Sequence, residues 1–236
     1  VPLDIETYCR DPAVITRTMG FFMTTGSILA VVVGVLAFLQ QRALDSPLPE
    51  GATIITSHPT LDAILGEHKD VIGMQYDGYR NHCLTVMNLA KRRMGDTLSE
   101  EQDDVLAVAA AFHDIGLWTD GRIDYLEPSI ARMEEYAKRT GREKHVKLLR
   151  DTIYYHHKVF PAALASMDPL IGAFQAADSS AFTFGLLPFD MSTPYRAAVG
   201  KALPNKGFHN FLVGRTARHF FSGQVTTLGP APMFVL

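Results

Sequence analysis

Ala107-Val108-Ala109-Ala110-Ala111-Phe112-His113-Asp114-Ile115-Gly116 is the stretch on which the reading of this chain turns. An alanine-rich helix should end here. An adjacent His-Asp pair at a helix end offers one imidazole nitrogen and one carboxylate oxygen to the same point in space. Those are the donor types that a hard-to-borderline divalent ion takes. The pair gains weight from its company: His82 lies upstream on another expected helix, and Asp178 lies downstream on a later one.

Working outward, Ser99 and Gln102 form a capping box that opens the helix leading to His113, and Gly116 is its expected C-terminal stop. Upstream, Thr60 caps a short helix to about Glu67. A longer helix over 75–94 carries Leu84, Met87, Leu89 and Ala90 beside His82. Downstream, Pro128-Ser129 opens a helix that Gly141 closes, and residues 142–158 read as one uninterrupted helix. Asp168-Pro169 starts the helix that bears Asp178. Two further helices are expected near 194–203 and 208–221. No strand series is convincing, so the expected class is all-α: a helical domain over 60–221 with an irregular tail at 222–236.

The chain has 236 residues and a formal net charge of −3, which argues against a basic nucleic-acid platform. Lys91-Arg92-Arg93 reads as the solvated end of a helix, where positive charge suits the carbonyl dipole. The two cysteines, Cys9 and Cys83, offer no disulfide framework, and Cys83 reads as a core residue.

Residues 1–17 form a flank of mixed charge before a segment, Thr18 to Gln41, that has no charged residue. As a helix, 18–41 would be about 36 Å long, enough to cross a hydrocarbon core of about 30 Å. It is apolar all round, and the expectation is a single transmembrane anchor followed by a linker over 42–59, broken by Pro47, Pro49, Gly51 and Pro59. Such a segment would contact membrane lipid and make the protein single-pass, in a bacterial inner membrane or an organellar one.

His82, His113, Asp114 and Asp178 come from separate helices and can converge only if those helices pack as a bundle, which the apolar stripes support. Two histidines and two carboxylates are expected to hold one divalent ion (Mn, Fe, Co, Ni, Zn or Mg). Open positions would remain where water can be activated. His156-His157-Lys158 is a second cluster. On a continuous helix its two histidines point about 100° apart, so only one should face the site. Lys158 either gives a phosphate oxygen a point charge or is a helix-terminal lysine favoured by the dipole. At least one of Asp120 and Asp124 should be exposed, and His58, His68, His209 and His219 show no strong partner pattern.

The order His82, then His113-Asp114, then Asp178, at intervals of 31 and 64 residues, resembles the signature of the HD superfamily of metal-dependent phosphohydrolases. A subgroup of small HD proteins is similar also at Asp124-Tyr125-Leu126-Glu127-Pro128-Ser129, at His156-His157-Lys158 and at Asn205-Lys206-Gly207-Phe208-His209. The resemblance implies hydrolysis of a phosphomonoester or phosphodiester, on a phosphorylated small molecule or nucleotide. Asp114, His156, His157 and Lys158 are then the expected catalytic group. Two other readings stand beside it. One is an accessory subunit of a membrane complex, keeping a structural metal and docking partners through 18–41 or the tail. The other is a di-iron oxygenase, which needs about six ligands. His145 and His156 would complete that count, but eleven residues along one helix separate them by about 16 Å.

Overall fold

Val105 to Phe112 are eight consecutive residues with essentially no contact with solvent. A helix apolar on every face can only be the centre of a bundle, and its alanines let neighbouring helices approach closely. The computed structural model, which describes residues 48–121, 124–158, 161–183 and 191–221, shows how the neighbours surround it. The helices are α1 (Pro59–Glu67), α2 (Lys69–Ile72), α3 (Tyr76–Arg93), α4 (Glu100–Phe112), α5 (Gly116–Thr119), α6 (Leu126–Arg139), α7 (Val146–Tyr155), α8 (Pro169–Phe182), α9 (Thr193–Ala202) and α10 (Phe208–Phe221). Among the described residues there are no strands, as the sequence pattern implied.

The central α4 packs against α1, α3, α6 and α7, and the most extensive helix pairing is α3 against α8. That pairing brings His82 of α3 opposite Asp178 of α8. The Ser99–Gln102 capping box opens α4 as expected, and the Asp168 carboxylate accepts the Leu170 amide at the start of α8. Asp104 on α4 receives both Nε and a terminal nitrogen of Arg142, at 2.8 and 3.0 Å, which ties α4 to the segment before α7. The described part of the expected linker, from residue 48, is fastened to the domain. The Asn88 side chain exchanges two hydrogen bonds of 2.9 Å with the Ile55 backbone, and the Tyr195 hydroxyl donates to the Thr53 carbonyl.

Two expectations about helix boundaries are corrected. Residues 142–158 are not one helix: a 3-10 turn at Glu143–His145 precedes α7, and α7 ends at Tyr155, before both histidines. Gly116 does not stop α4, which ends at Phe112, and it lacks the left-handed backbone of a helix-stopping glycine. Its role is steric. A Cβ there would meet the Tyr125 carbonyl oxygen at 2.6 Å and the Ser129 nitrogen at 3.1 Å, and its amide donates to the Ser129 hydroxyl at 3.0 Å. The turn after the His-Asp pair is thereby pressed onto the start of α6. By contrast Gly141, at φ +74°, does close α6 in the expected way.

Residues 18–41 and 222–236 lie outside the described residues, and so do the anchor and tail expectations. Among the described residues no helix is long and apolar enough to cross a membrane.

Because backbone faces the missing Cβ of Gly116, Gly116→Ala should overpack this junction. The expected loss is about 1–3 kcal/mol of unfolding free energy, measured as a lower urea midpoint. A variant as stable as the wild type would show that the contact is slack.

Candidate metal centre

Four helices deliver six donor side chains to one buried volume. His82 comes from the middle of α3, one turn after Tyr79. His113 and Asp114 follow the end of α4, His156 and His157 follow the end of α7, and Asp178 lies in α8. His82 Nε2 lies 3.1 Å from His113 Nε2 and 3.1 Å from Asp178 Oδ1, and His113 Nε2 lies 3.7 Å from the same oxygen. Neighbouring ligands of an octahedral ion at about 2.1 Å are about 3.0 Å apart, so this triangle approaches one face of a coordination shell.

Asp114, His156 and His157 form a second group whose donor atoms lie within 4.8 Å of one another. The two groups share their carboxylates. Asp114 turns Oδ2 toward His113 at 3.4 Å and Oδ1 toward His156 Nε2 at 3.4 Å. Asp178 turns Oδ1 toward His82 and Oδ2 toward His157 Nδ1, at 3.7 Å. Each carboxylate therefore presents one oxygen to each group.

Local structure explains why the histidines aim inward. His113 Nδ1 donates to the Ala110 carbonyl at 2.8 Å, and His156 Nδ1 donates to the Ile153 carbonyl at 2.5 Å. Each ring thus caps its own helix three residues back and leaves the Nε2 lone pair facing the cluster. The negative ends of the α4 and α7 dipoles also point at the cluster, which suits a cation. Tyr125, buried at the start of α6, places its hydroxyl 2.7 Å from His157 Nε2. When His157 offers Nδ1 to an ion, that Nε2–H is held by the tyrosine oxygen.

The electrostatics describe a site built for positive charge. Asp114 and Asp178 are only 3% and 2% exposed. Burial by itself would raise their carboxyls, but the imidazoles outweigh it. His113 and His156 hold Asp114, and His82 and His157 hold Asp178, well below the usual carboxylate range. Burial pushes His113 down to about 4 and His157 down to about 3, the latter helped by the charge of His156. At His156 burial is overcome by the Asp114 and Asp178 carboxylates, and its pKa rises.

Asp114 Oδ1, Asp178 Oδ2 and His156 Nε2 are buried without a hydrogen-bond partner. Unpaired buried groups of this kind are costly, and all three face the shared volume. The donor set fits divalent metal: imidazole nitrogens and carboxylate oxygens are the ligand types such an ion takes.

All four expected metal ligands meet here. The expectation that one of His156 and His157 would turn away is corrected: their ring centroids are 4.0 Å apart and both join the cluster. Helix α7 ends at Tyr155, and both rings enter the cluster from the turn that follows it. Lys158 is half-buried one residue beyond, with its ammonium 6.0 Å from the Tyr155 ring centroid. His145 lies at the opposite end of α7, where its Nε2 is 3.0 Å from a Glu101 carboxylate oxygen. Asp120 is exposed and Asp124 half-buried. His209 is buried edge-on to His82, but Nε2 reaches the Ala181 carbonyl at 3.0 Å and Nδ1 accepts from Asn205, so both nitrogens are used. Tyr79 and Tyr125, which reasoning from sequence did not select as site residues, carry no pattern of their own. Tyr125 does lie in the quoted Asp124–Ser129 stretch.

The HD domain family matches residues 79–183 of the chain, a span that begins at Tyr79 and ends just after α8. The match contains all six donors, and it agrees with the HD superfamily of metal-dependent phosphohydrolases. No curated protein and no solved structure matches the chain.

An ion that binds the folded centre and not the unfolded chain raises thermal stability by mass action. With Mn(II) at 100 times its dissociation constant, the melting temperature should rise by roughly 5–10 °C. Asp178→Asn, which removes a carboxylate charge from both groups, should abolish most of that shift in a thermal melt with and without chelator. An unchanged shift in the variant would sink the assignment of Asp178 as a ligand.

Proposed function

We propose that this chain is a metal-dependent phosphohydrolase whose centre takes two divalent ions side by side. In this reading His82, His113 and Asp178 would hold one ion and Asp114, His156 and His157 the other, with each carboxylate presenting one oxygen to each group. It extends the single ion expected from four ligands. The observation that carries it is the division of each carboxylate between the two groups.

Charge favours the same count. The two carboxylates bring a charge of −2 and neutral imidazoles add nothing, so one divalent ion would leave the centre neutral. Two would leave it at +2, matched to a phosphate dianion. Bound divalent metal supplies Lewis acidity toward a phosphoryl oxygen and a nucleophilic water at neutral pH. The chain's own residues set the stage for that chemistry. The shared carboxylates fix the spacing of the two groups, and the backbone-anchored imidazoles hold their lone pairs in place without reorganisation. The Tyr125 hydroxyl, kept protonated by burial and by the nearby Asp114 and Asp178 charges, is a donor beside the cluster. Lys158 follows the cluster directly, and its role here is a point charge for a substrate phosphate.

The test is metal analysis of the full chain together with a screen of phosphomonoesters and phosphodiesters. Two equivalents of divalent metal and release of phosphate or a cleaved diester are expected. Asp114→Ala should lower turnover by more than the roughly 10–100-fold typical of an outer-shell partner. Two irons with oxygen-dependent turnover and no hydrolysis would replace this reading with an oxygenase, which the six-donor set also suits. Absence of any bound metal would refute both.

The proposal includes a membrane tether through residues 18–41, supported by 24 residues without a charge. The full chain should sediment with membranes and be extracted by detergent but not by alkaline carbonate. Recovery in the soluble fraction would remove the tether from the proposal.

A further inference from the structure

The turn that carries the His113-Asp114 pair is shaped by a residue that is not a ligand. Had α4 continued past Phe112, the Asp114 amide would donate to the Ala110 carbonyl and the Ile115 amide to the Ala111 carbonyl. Both carbonyls are engaged elsewhere. The Ala110 oxygen accepts from His113 Nδ1, and the Ala111 oxygen accepts from the Tyr79 hydroxyl at 3.0 Å. The Asp114 amide donates to that same hydroxyl oxygen at 3.2 Å, and the Ile115 amide turns back to the Phe112 carbonyl at 3.1 Å. One phenol thus satisfies a donor and an acceptor that the broken helix would otherwise leave buried.

The surroundings of Tyr79 hold it in this position. It is fully buried, and its ring is packed by Trp118, Phe208 and His113 at centroid distances of 4.6, 5.6 and 5.8 Å. It precedes His82 by three residues on α3, so the helix that supplies one ligand also braces the turn supplying two more. Burial and the neighbouring Cys83 and Asp114 raise its pKa well above the ordinary phenol value, so the hydroxyl keeps the proton that Ala111 accepts.

We propose that Tyr79 is a positioning residue of the metal centre: its hydroxyl ends α4 at Phe112 and thereby aims the Asp114 carboxylate into the cluster. Without the hydroxyl, the two freed backbone groups find their partners by adding helix after Phe112. That rotates Asp114 away from the position at which it meets His113 and His156. The proposal rests on the metal-binding reading of the site, but the shape of the turn can be tested without metal.

The experiment has two arms on the full chain in detergent. The first follows amide hydrogen exchange without metal. In the wild type the Asp114 amide should exchange as slowly as the interior amides of α4, although no carbonyl pairs with it. In Tyr79→Phe it should exchange at least ten times faster, or the Ala110–Ile115 amides should show the protection of a lengthened helix. The second arm titrates Co(II) and reads affinity and the visible ligand-field spectrum for the wild type, Tyr79→Phe, Asp114→Asn and the double variant. Tyr79→Phe should weaken binding by roughly 10–100-fold and shift the spectrum toward that of Asp114→Asn. The double variant should bind no more weakly than Asp114→Asn, because the hydroxyl acts through that carboxylate. Rapid exchange of Asp114 in the wild type would overturn the proposal, a measurement that needs no variant to fold. An unchanged spectrum in Tyr79→Phe, or losses that multiply in the double variant, would overturn it equally. A wild type that binds no Co(II) would refute the metal reading alone, leaving the exchange arm to decide the role of Tyr79.

Discussion

Two buried carboxylates that both face His113, at 3.4 and 3.7 Å, are the constraint around which this protein is arranged. Asp114 and Asp178 are almost wholly removed from water, and isolated charges in that position would be costly. Four imidazoles, of His82, His113, His156 and His157, face them. Three of the buried polar atoms there have no hydrogen-bond partner. A charged, under-satisfied cluster at the heart of a helical domain opposes folding unless something positive completes it. In stability terms the centre is therefore a place where ligand binding and folding are linked.

The surrounding architecture keeps these groups from relaxing apart. Long helices deliver His82 and Asp178 from their interiors, where backbone hydrogen bonding is complete. The other four donors come from just beyond helix ends, where the backbone has spare carbonyls. The fold uses those spare groups: His113 and His156 each bond a carbonyl of their own last turn, and Tyr79 bonds across from α3. Beyond the His-Asp turn, the glycine at 116 allows backbone-to-backbone contact with the start of α6, which also carries Tyr125 and Ser129. The Tyr125 hydroxyl then reaches His157. A chain of contacts, from Gly116 through α6, connects the His113-Asp114 pair to the His156-His157 pair.

Much of this was legible in the linear chain. The capping box at Ser99–Gln102 and the proline after Asp168 mark helix starts because they act over three or four residues. His82, His113-Asp114 and Asp178 were recognisable as a set, since the pair is adjacent and its order and intervals resemble a known family. The end of α7 was not legible. Val146 to Lys158 holds neither glycine nor proline, and its residues accept a helical backbone throughout. What ends it is the His156 ring bonding the Ile153 carbonyl beside a cluster of distant carboxylates, and that choice depends on α4 and α8 being in place. Gly116 misled for a related reason. Glycine serves both left-handed stops and close packing, and only its neighbour, α6, distinguishes them.

The sequence by itself determined the helical class, most helix starts, the alanine-rich helix that ends at the His-Asp pair and four of the six donors. These follow from short-range periodicity, capping chemistry and a pattern of adjacent residue types. Tertiary structure alone decided that His156 and His157 face the same centre, that each carboxylate divides its oxygens between two groups, and that the Tyr79 and Tyr125 hydroxyls bond the His-Asp turn and His157. The physical reason is that helix termini are settled by competition for unpaired backbone groups. At this site the competing side chains come both from the last helical turn, as His113 and His156 do, and from 35 residues away, as Tyr79 does for the Asp114 amide.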